Sequence, residues 1–422
     1  MEKPRVVITG MGAMTPIGKS VPEFWDGLVS GRSGIRRITL FDPNSYDFPC
    51  KIAGEVPDFN PDEYINRKEA RRMARSSQLA IAAAHEALHN ANLPGTMPNP
   101  ERAGVVFGTA QGGLERIVDD IEVLQSKGLS KVSPFTLPSG LPNMPAFMLA
   151  RDFQALGPNL TVVTACATST QAIGEGAVII QRGLADVMIV GGAEAVVRDF
   201  TLAGFTAMRA LPVNFNDAPE RASRPFDAKR EGFILSEGAG VLILESLEHA
   251  LSRGARIYAE YAGHASSADG YHIAALEPNG LGAVRAIKWA LADAGVRPDE
   301  VDYINAHGTS TPANDATETR AIKAVFGEYA RHIPISSTKS MIGHTLGASG
   351  ALEAIASVMT MTHGCIPPTI NYEYPDPECD LDYVPNAARN QAVNTVLSNS
   401  FGLGGQNACL VLKKYHHDTE PH

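Results

Sequence analysis

The chain has 422 residues, 44% apolar and 19% charged, with a formal net charge of −10. This is the composition of an ordered globular protein long enough for two packed units. The acidic balance excludes a general nucleic-acid binder, which needs a basic footprint, and no uncharged apolar run reaches the roughly 18 residues of a membrane span.

In MEKPRVVITGMGAMTPIG, Gly10 and Gly12 interrupt the apolar run, so the segment reads as a strand and turn rather than a signal peptide. Apolar, β-branched runs predict strands over 5–9, 104–108, 160–164, 186–190 and 240–244. Between the first two, residues 70–91 have helical spacing and propensity. The preceding NRKEARRMAR gathers Arg67, Lys68, Arg71, Arg72 and Arg75; by charge pattern alone this is a solvated helix face. A second strand set follows at 257–262, 301–306, 333–336, 394–398 and 408–412, with helices over 281–294 and 314–326. Such alternation is the mark of a layered α/β fold.

The two sets echo each other. ACATSTQAIGEGAVII has a counterpart in GHTLGASGALEAIASVM, and GVVFGTAQGG in YINAHGTSTP. The repetition favours a duplicated unit with its seam near Gly254: an N-terminal half over 1–254, a C-terminal half over 255–414 and a polar tail over 415–422. A site is expected between the halves.

Five cysteines without zinc-type spacing fit reduced cytoplasmic thiols better than a disulfide framework. A cysteine in an apolar segment is usually a small core hydrophobe. Cys166, however, follows a β-branched run and precedes a helix-compatible segment over 169–182. At a helix N-terminus the free N–H groups and macrodipole can lower a thiol pKa below its usual ~8.5, and the same donors can hold an oxyanion. Most of the histidines lie in helical, flanking or tail surroundings. His307, opening HGTSTP, and His344, in TKSMIGHTLGASG, instead fall in strand-to-helix connections rich in Gly, Ser and Thr, where α/β sheets place ligand-binding loops. No HxxxH or CxxC spacing supports a structural zinc site, GxSxG is absent, and the glycine-rich GTAQGG and GLGGQN lack a phosphate-loop ending.

TACATSTQAIGEGA, RPFDAKREGFILSEGAG, NAHGTSTPANDATETRAIK, STKSMIGHTLGASGALE and SNSFGLGGQN together resemble an elongating β-ketoacyl-acyl carrier protein synthase, in order over about 5–414. The resemblance implies a thiolase-like α-β-α-β-α fold, two duplicated halves whose mixed five-stranded sheets flank buried helices. It also implies a homodimer with the strand leading to Cys166 near its two-fold contact, formed by insertions of the N-terminal half. The implied reaction condenses an enzyme-bound acyl group with malonyl-acyl carrier protein in fatty acid biosynthesis. It releases carbon dioxide and requires no cofactor beyond the carrier's phosphopantetheine.

By motif position, Cys166 would carry the acyl thioester, and the N–H groups of Cys166 and Leu403 would form its oxyanion hole. His307 and His344 would donate to the malonyl enolate. Lys339 would keep them neutral; its alternative role is an ion pair with Glu318, which would fix the loop after His307. Thr309 and Thr311 would bind pantetheine, and Lys68, Arg71 and Arg72 the acidic carrier protein. A monovalent cation, K+ or Na+, would take oxygen ligands from Asn305, Glu353, Ser398 and Asn399. Three positions depart from the family pattern. Leu403 stands where a gating Phe is usual, Gln111 puts an amide in the acyl pocket and is expected to shorten it, and Ala274 replaces a hydroxyl. A polyketide-type ketosynthase is the alternative; a noncatalytic chain-length-factor-like subunit is disfavoured because Cys166 is present. A thiolase would need a second cysteine in FGLGGQN, and an initiating synthase would pair Cys and His with Asn rather than with His344.

Overall fold

The computed structural model describes residues 3–416, so 417–422 of the polar tail lie outside the described residues. Ten strands form one continuous sheet: β1 Val6–Met14, β2 Ala103–Gly108, β3 Asn159–Val162, β4 Val187–Glu194, β5 Gly238–Ser246, β6 Ala259–Ala268, β7 Tyr303–Asn305, β8 Ile335–Ser336, β9 Thr395–Gly402 and β10 Gln406–Lys413. Their spatial order is β8-β7-β9-β10-β6-β1-β5-β4-β2-β3. In the first half β1, β5 and β4 pair antiparallel, and β4, β2 and β3 parallel. In the second, β6, β10 and β9 pair antiparallel, and β9, β7 and β8 parallel. Each half therefore uses its own strands in the order third, second, fourth, fifth, first. They join where β1 pairs antiparallel with β6 through Val6–Tyr261 and Ile8–Ala259.

All ten expected strands are present, with shifted ends. The strand expected over 5–9 runs on to Met14 because its glycines are not breaks but sites of close helix approach. A Cβ on Gly12 would stand 1.9 Å from the Ala83 carbonyl oxygen. The helix expected over 70–91 is two helices, a single turn Arg67–Ala70 and the long α1 Arg75–Asn90, separated by the extended backbone of Ala74. Arg75 also leaves the basic face: its guanidinium turns inward onto the buried Glu237, at 2.7 Å.

The helices sort into layers by which strands they cover. The long α1 and α2 Met144–Phe153 pack on the outer face of the first half-sheet; α4 Leu281–Asp293, backed by α5 Pro312–Phe326, covers that of the second. Between the half-sheets lie α3 Thr168–Gln181 and α6 Ser349–His363, each touching strands of both halves and each other. They cross where Ala351 N–H donates to Ser169 Oγ at 2.9 Å. Their faces therefore read as small and apolar all round, as a doubly covered helix requires. Each large apolar side chain so buried contributes roughly 1.5–3 kcal/mol.

Candidate active site

The strand-to-helix turns preceding α3 and α6 reach the central cleft. Ala165–Ala167 is a 3-10 turn between β3 and α3, with Ala165 held at φ +50°, a conformation that L side chains seldom adopt. Thr168 steadies it: its hydroxyl accepts the Thr164 N–H at 2.9 Å and donates to the Ala165 carbonyl at 2.7 Å. Cys166 thus projects from the turn into a cavity of about 1180 Å³ lined from both halves by, among others, Gln111, Phe205, His307, His344, Thr309 and Leu403.

The structure brings Cys166, His307 and His344 together. His344 Nε2 is 3.0 Å from Cys166 Sγ, and its Nδ1 is 3.0 Å from Ser349 Oγ. The two imidazoles stand edge to face, 5.4 Å between centroids, and one donor atom from each of the three residues lies within 4.8 Å of the others. Scattered sequence spacing had no means of indicating this, since three separate turns supply the three side chains.

The expected depression of the thiol is overturned. Burial pushes the Cys166 thiol up to about 11, against the lowering influence of the Leu403 N–H and Lys339, with Glu194 and Glu353 also raising it. A dry site penalises a thiolate more than the helix end and these two groups favour it. Cys166 therefore rests as a thiol whose proton has an acceptor in reach, His344 Nε2. Burial, followed by the charge of Lys339, holds both imidazoles well below their ordinary value, so they are neutral at pH 7.

Glu318 does not pair with Lys339. Its carboxylate accepts the His307 and Gly308 N–H groups, both at 2.8 Å, and Asn399 Nδ2 at 3.2 Å, while burial pushes its pKa up to about 7. Lys339 instead bonds Glu353 on α6, and both side chains are buried. The physical reason is that Glu318 is already satisfied by backbone donors, whereas Glu353 would otherwise be an unpaired charge inside the protein.

The proposed cation ligands are accordingly only partly open. Glu353 shares one oxygen with Lys339, and the side-chain Oδ1 of Asn399 accepts the Cys409 thiol at 3.3 Å. Asn305 Oδ1, Ser398 Oγ and the second Glu353 oxygen are buried without a well-formed hydrogen bond, with the Tyr303 and Ser400 hydroxyls standing near Asn305 and Glu353. Hard oxygen donors left open in this way suit a monovalent ion.

Thr309 and Thr311 line the cavity with their hydroxyls 2.9 Å apart, and Thr311 also caps α5 by accepting the Asn314 N–H at 3.3 Å. Gln111 and Ala274 line it too, and Thr201 Oγ1 donates to Gln111 Oε1 at 3.2 Å. Lys68 and Arg71 are exposed, outside the cleft; Arg72 is tied back by Glu69 at 3.0 Å and lies over Phe135. Three residues escaped the sequence reading. Ser349 orients His344; Phe233 stands edge-on to the same imidazole at 5.4 Å; and Glu194 ends β4 in the apolar run VMIVGGAE. A lone acid closing an apolar strand was the one legible signal among them.

Such a cleft, with a thiol and two neutral imidazoles at the seam of a duplicated α/β fold, defines a thiol-dependent acyl-transfer class of site. Residues 3–250 match the family described as Beta-ketoacyl synthase, N-terminal domain, and residues 258–373 its C-terminal domain. The chain belongs to the β-ketoacyl synthase family. It is 51% identical to "3-oxoacyl-[acyl-carrier-protein] synthase 2" of Synechocystis sp., covering 98% of this chain and 99% of that one. Against the protein of the same name from Staphylococcus aureus it is 49% identical, over 97% and 98%. Among solved structures it is similar to the ishigamide ketosynthase/chain length factor, with TM-score 0.92, 40% identity and coverage of 98% and 100%. It is also similar to a type II PKS acyl-carrier protein in complex with its ketosynthase bound to the hexaketide, with TM-score 0.88, 34% identity and the same coverage.

Proposed function

We propose that this chain is an elongating 3-oxoacyl-acyl carrier protein synthase of fatty acid synthesis. The observation that carries this reading is the 3.0 Å approach of His344 Nε2 to Cys166 Sγ beside a second neutral imidazole, on a chain about half identical to synthases of that name over nearly full length.

In the first step the Cys166 sulfur attacks the acyl thioester, its proton passing to His344 Nε2. The carrier thiol leaves with a proton, and Cys166 holds the acyl group. The N–H groups of Cys166 and Leu403 face the developing oxyanion. Because the Ser349 hydroxyl can donate to or accept from Nδ1, His344 can serve as acceptor and then as donor.

In the second step the malonyl C–C bond breaks, releasing carbon dioxide and leaving its electron pair as an enolate. His307 and His344 donate to that oxygen, each through the single N–H that a neutral imidazole carries. The enolate carbon attacks the Cys166 thioester carbonyl, the carbon–sulfur bond breaks with its electron pair on sulfur, and a 3-oxoacyl chain two carbons longer leaves on the carrier; the Cys166 thiolate takes up one proton from solvent by way of His344 to regain its resting thiol. Lys339 acts through its charge on both imidazoles, and Glu318 through the backbone it holds. Thr309 and Thr311 offer hydroxyls to the pantetheine arm. Where a monovalent cation binds, Asn305, Ser398 and Glu353 would hold it, and it would supply fixed positive charge behind the histidine loop.

The carrier protein is the proposed partner, docking on Lys68, Arg71 and Arg72. A second copy of this chain is the other. β3 is one of the two edge strands of the sheet, and Leu160 and Val163 at that edge are 44% and 46% exposed. An unpaired apolar edge of this kind requires a cover. A reducing cytoplasm suits five free cysteines, and among the described residues no helix is long and apolar enough to cross a membrane.

The test is a purified reaction of malonyl-acyl carrier protein with acyl carriers of graded length, read by product mass and carbon dioxide release. Two-carbon extension that disappears in Cys166→Ala supports the reading. Extension that survives the substitution refutes it.

A further inference from the structure

Glu194 is buried, lies behind the catalytic thiol, and has no part in the chemistry above. Its surroundings follow from the duplication. The turn Leu346–Ala348 before α6 repeats the turn Ala165–Ala167 before α3, down to a positive φ at its first residue, +42° at Leu346 and +50° at Ala165. Gly347 is therefore the counterpart of Cys166. Glu194 closes β4 as Gly402, just before Leu403, closes β9, each pairing with the first residue of the next strand, Gly238 and Gln406. The Gly347 N–H thus stands where the Cys166 N–H does in the first turn, and offers a second place for an anion.

A carboxylate fills it. Glu194 Oε2 accepts the Gly347 N–H at 3.0 Å and the Ala110 N–H at 2.7 Å. Oε1 accepts the Thr109 hydroxyl at 2.8 Å and the Gln111 N–H at 3.2 Å. Four converging donors mark an anion's place. The carboxylate leaves no room for a side chain on the turn: a Cβ on Gly347 would stand 2.6 Å from both Ala110 N and Glu194 Oε2.

We propose that the Glu194 carboxylate is a resident anion filling this second place, and that Glu194 is the positioning residue fastening the Gln111 wall of the acyl cavity to the turn that follows His344. One carboxylate thereby sets both the shape of the pocket and the placement of the base. Burial is the main reason the Cys166 thiol stays protonated, and the Glu194 charge adds to it; burial also pushes the Glu194 carboxyl up to about 7 against its four donors, so that charge is complete only above this pH. The inference rests on the reading of the cavity as an acyl site.

Glu194→Gln tests it, because an amide must turn its NH2 toward backbone N–H donors. Two readouts apply: the ratio of kcat/KM between the longest and shortest acyl carriers accepted, and the pH profile of Cys166 alkylation. Glu86→Gln is the control, since Glu86 is a half-buried carboxylate that accepts the Ala13 and Val21 N–H groups away from the cavity. For E194Q we expect a several-fold change in the chain-length ratio and an alkylation midpoint at lower pH; for E86Q, lower thermal stability with both readouts unmoved. An E194Q enzyme matching the unaltered one in both readouts overturns the inference, as does an E86Q enzyme that shifts them equally. Should E194Q not fold, amide exchange in the unaltered enzyme decides. Ala110, Gln111 and Gly347 should then show matched protection once intrinsic rates are removed, and widely different protection overturns the inference. An unaltered enzyme that fails to condense would instead refute the proposed function, so the two failures are distinct.

Discussion

The Cys166 and Gly347 turns share a backbone and differ in what that backbone serves. At Cys166 the turn presents a thiol to a cavity; at Gly347 the same strained geometry faces a carboxylate and has no room for a side chain. A duplicated fold supplies two places where backbone donors converge. Which becomes a catalytic site is then decided by a few side chains: His344 reaches the first turn, and Glu194 closes the second.

The largest effect that would sharpen this contrast comes from making the first turn like the second. Cys166→Gly should fold and retain its thermal stability while condensation drops by on the order of 10³-fold or more, as expected when a covalent nucleophile is removed; residual turnover within tenfold of the unaltered rate would break the comparison. Next in size, His307→Ala and His344→Ala should each slow carbon dioxide release by about 10²–10³-fold, the loss typical of one preorganised oxyanion donor. Lys339→Ala leaves Glu353 as an uncompensated buried charge and should cost about 3–5 kcal/mol in denaturant unfolding. Making the second turn like the first should cost less: Gly347→Ala forces a Cβ against Ala110 N and Glu194, with a loss of about 1–3 kcal/mol.

The smallest effect concerns acid. The folded protein holds His307 and His344 well below 6.5, so the unfolded chain takes up protons first as pH falls. Stability should therefore decline as pH drops below 6.5 toward the folded values, and the decline should be shallower in His307→Ala when each protein is compared with itself at neutral pH. Equal slopes would contradict the neutral, desolvated imidazoles.

Legibility followed the physics of each feature. Strand positions were readable because apolar and β-branched runs are local signals. Their ends were not, since β1 passes through Gly10 and Gly12 only because α1 packs there. The thiol and both histidines were found through motifs carried by a family resemblance, while Ser349 and Phe233 were missed because each acts on His344 through contacts made only after α6 and the Phe233 loop pack together. The partner of Lys339 was misjudged for a related reason. Proximity in sequence favoured Glu318 beside His307, but backbone donors satisfy that carboxylate, and the buried Glu353 claims the lysine.

By itself, the sequence determined a duplicated α/β chain, the family motifs that carry Cys166, His307 and His344, and the lack of a long uncharged apolar run or a phosphate-loop ending, because these depend on residue type and local periodicity. Only the tertiary structure decided that Cys166 rests protonated, that Lys339 serves Glu353, and that Glu194 occupies a second anion hole. Desolvation, ion pairing and convergence of backbone donors exist only where segments distant in sequence meet.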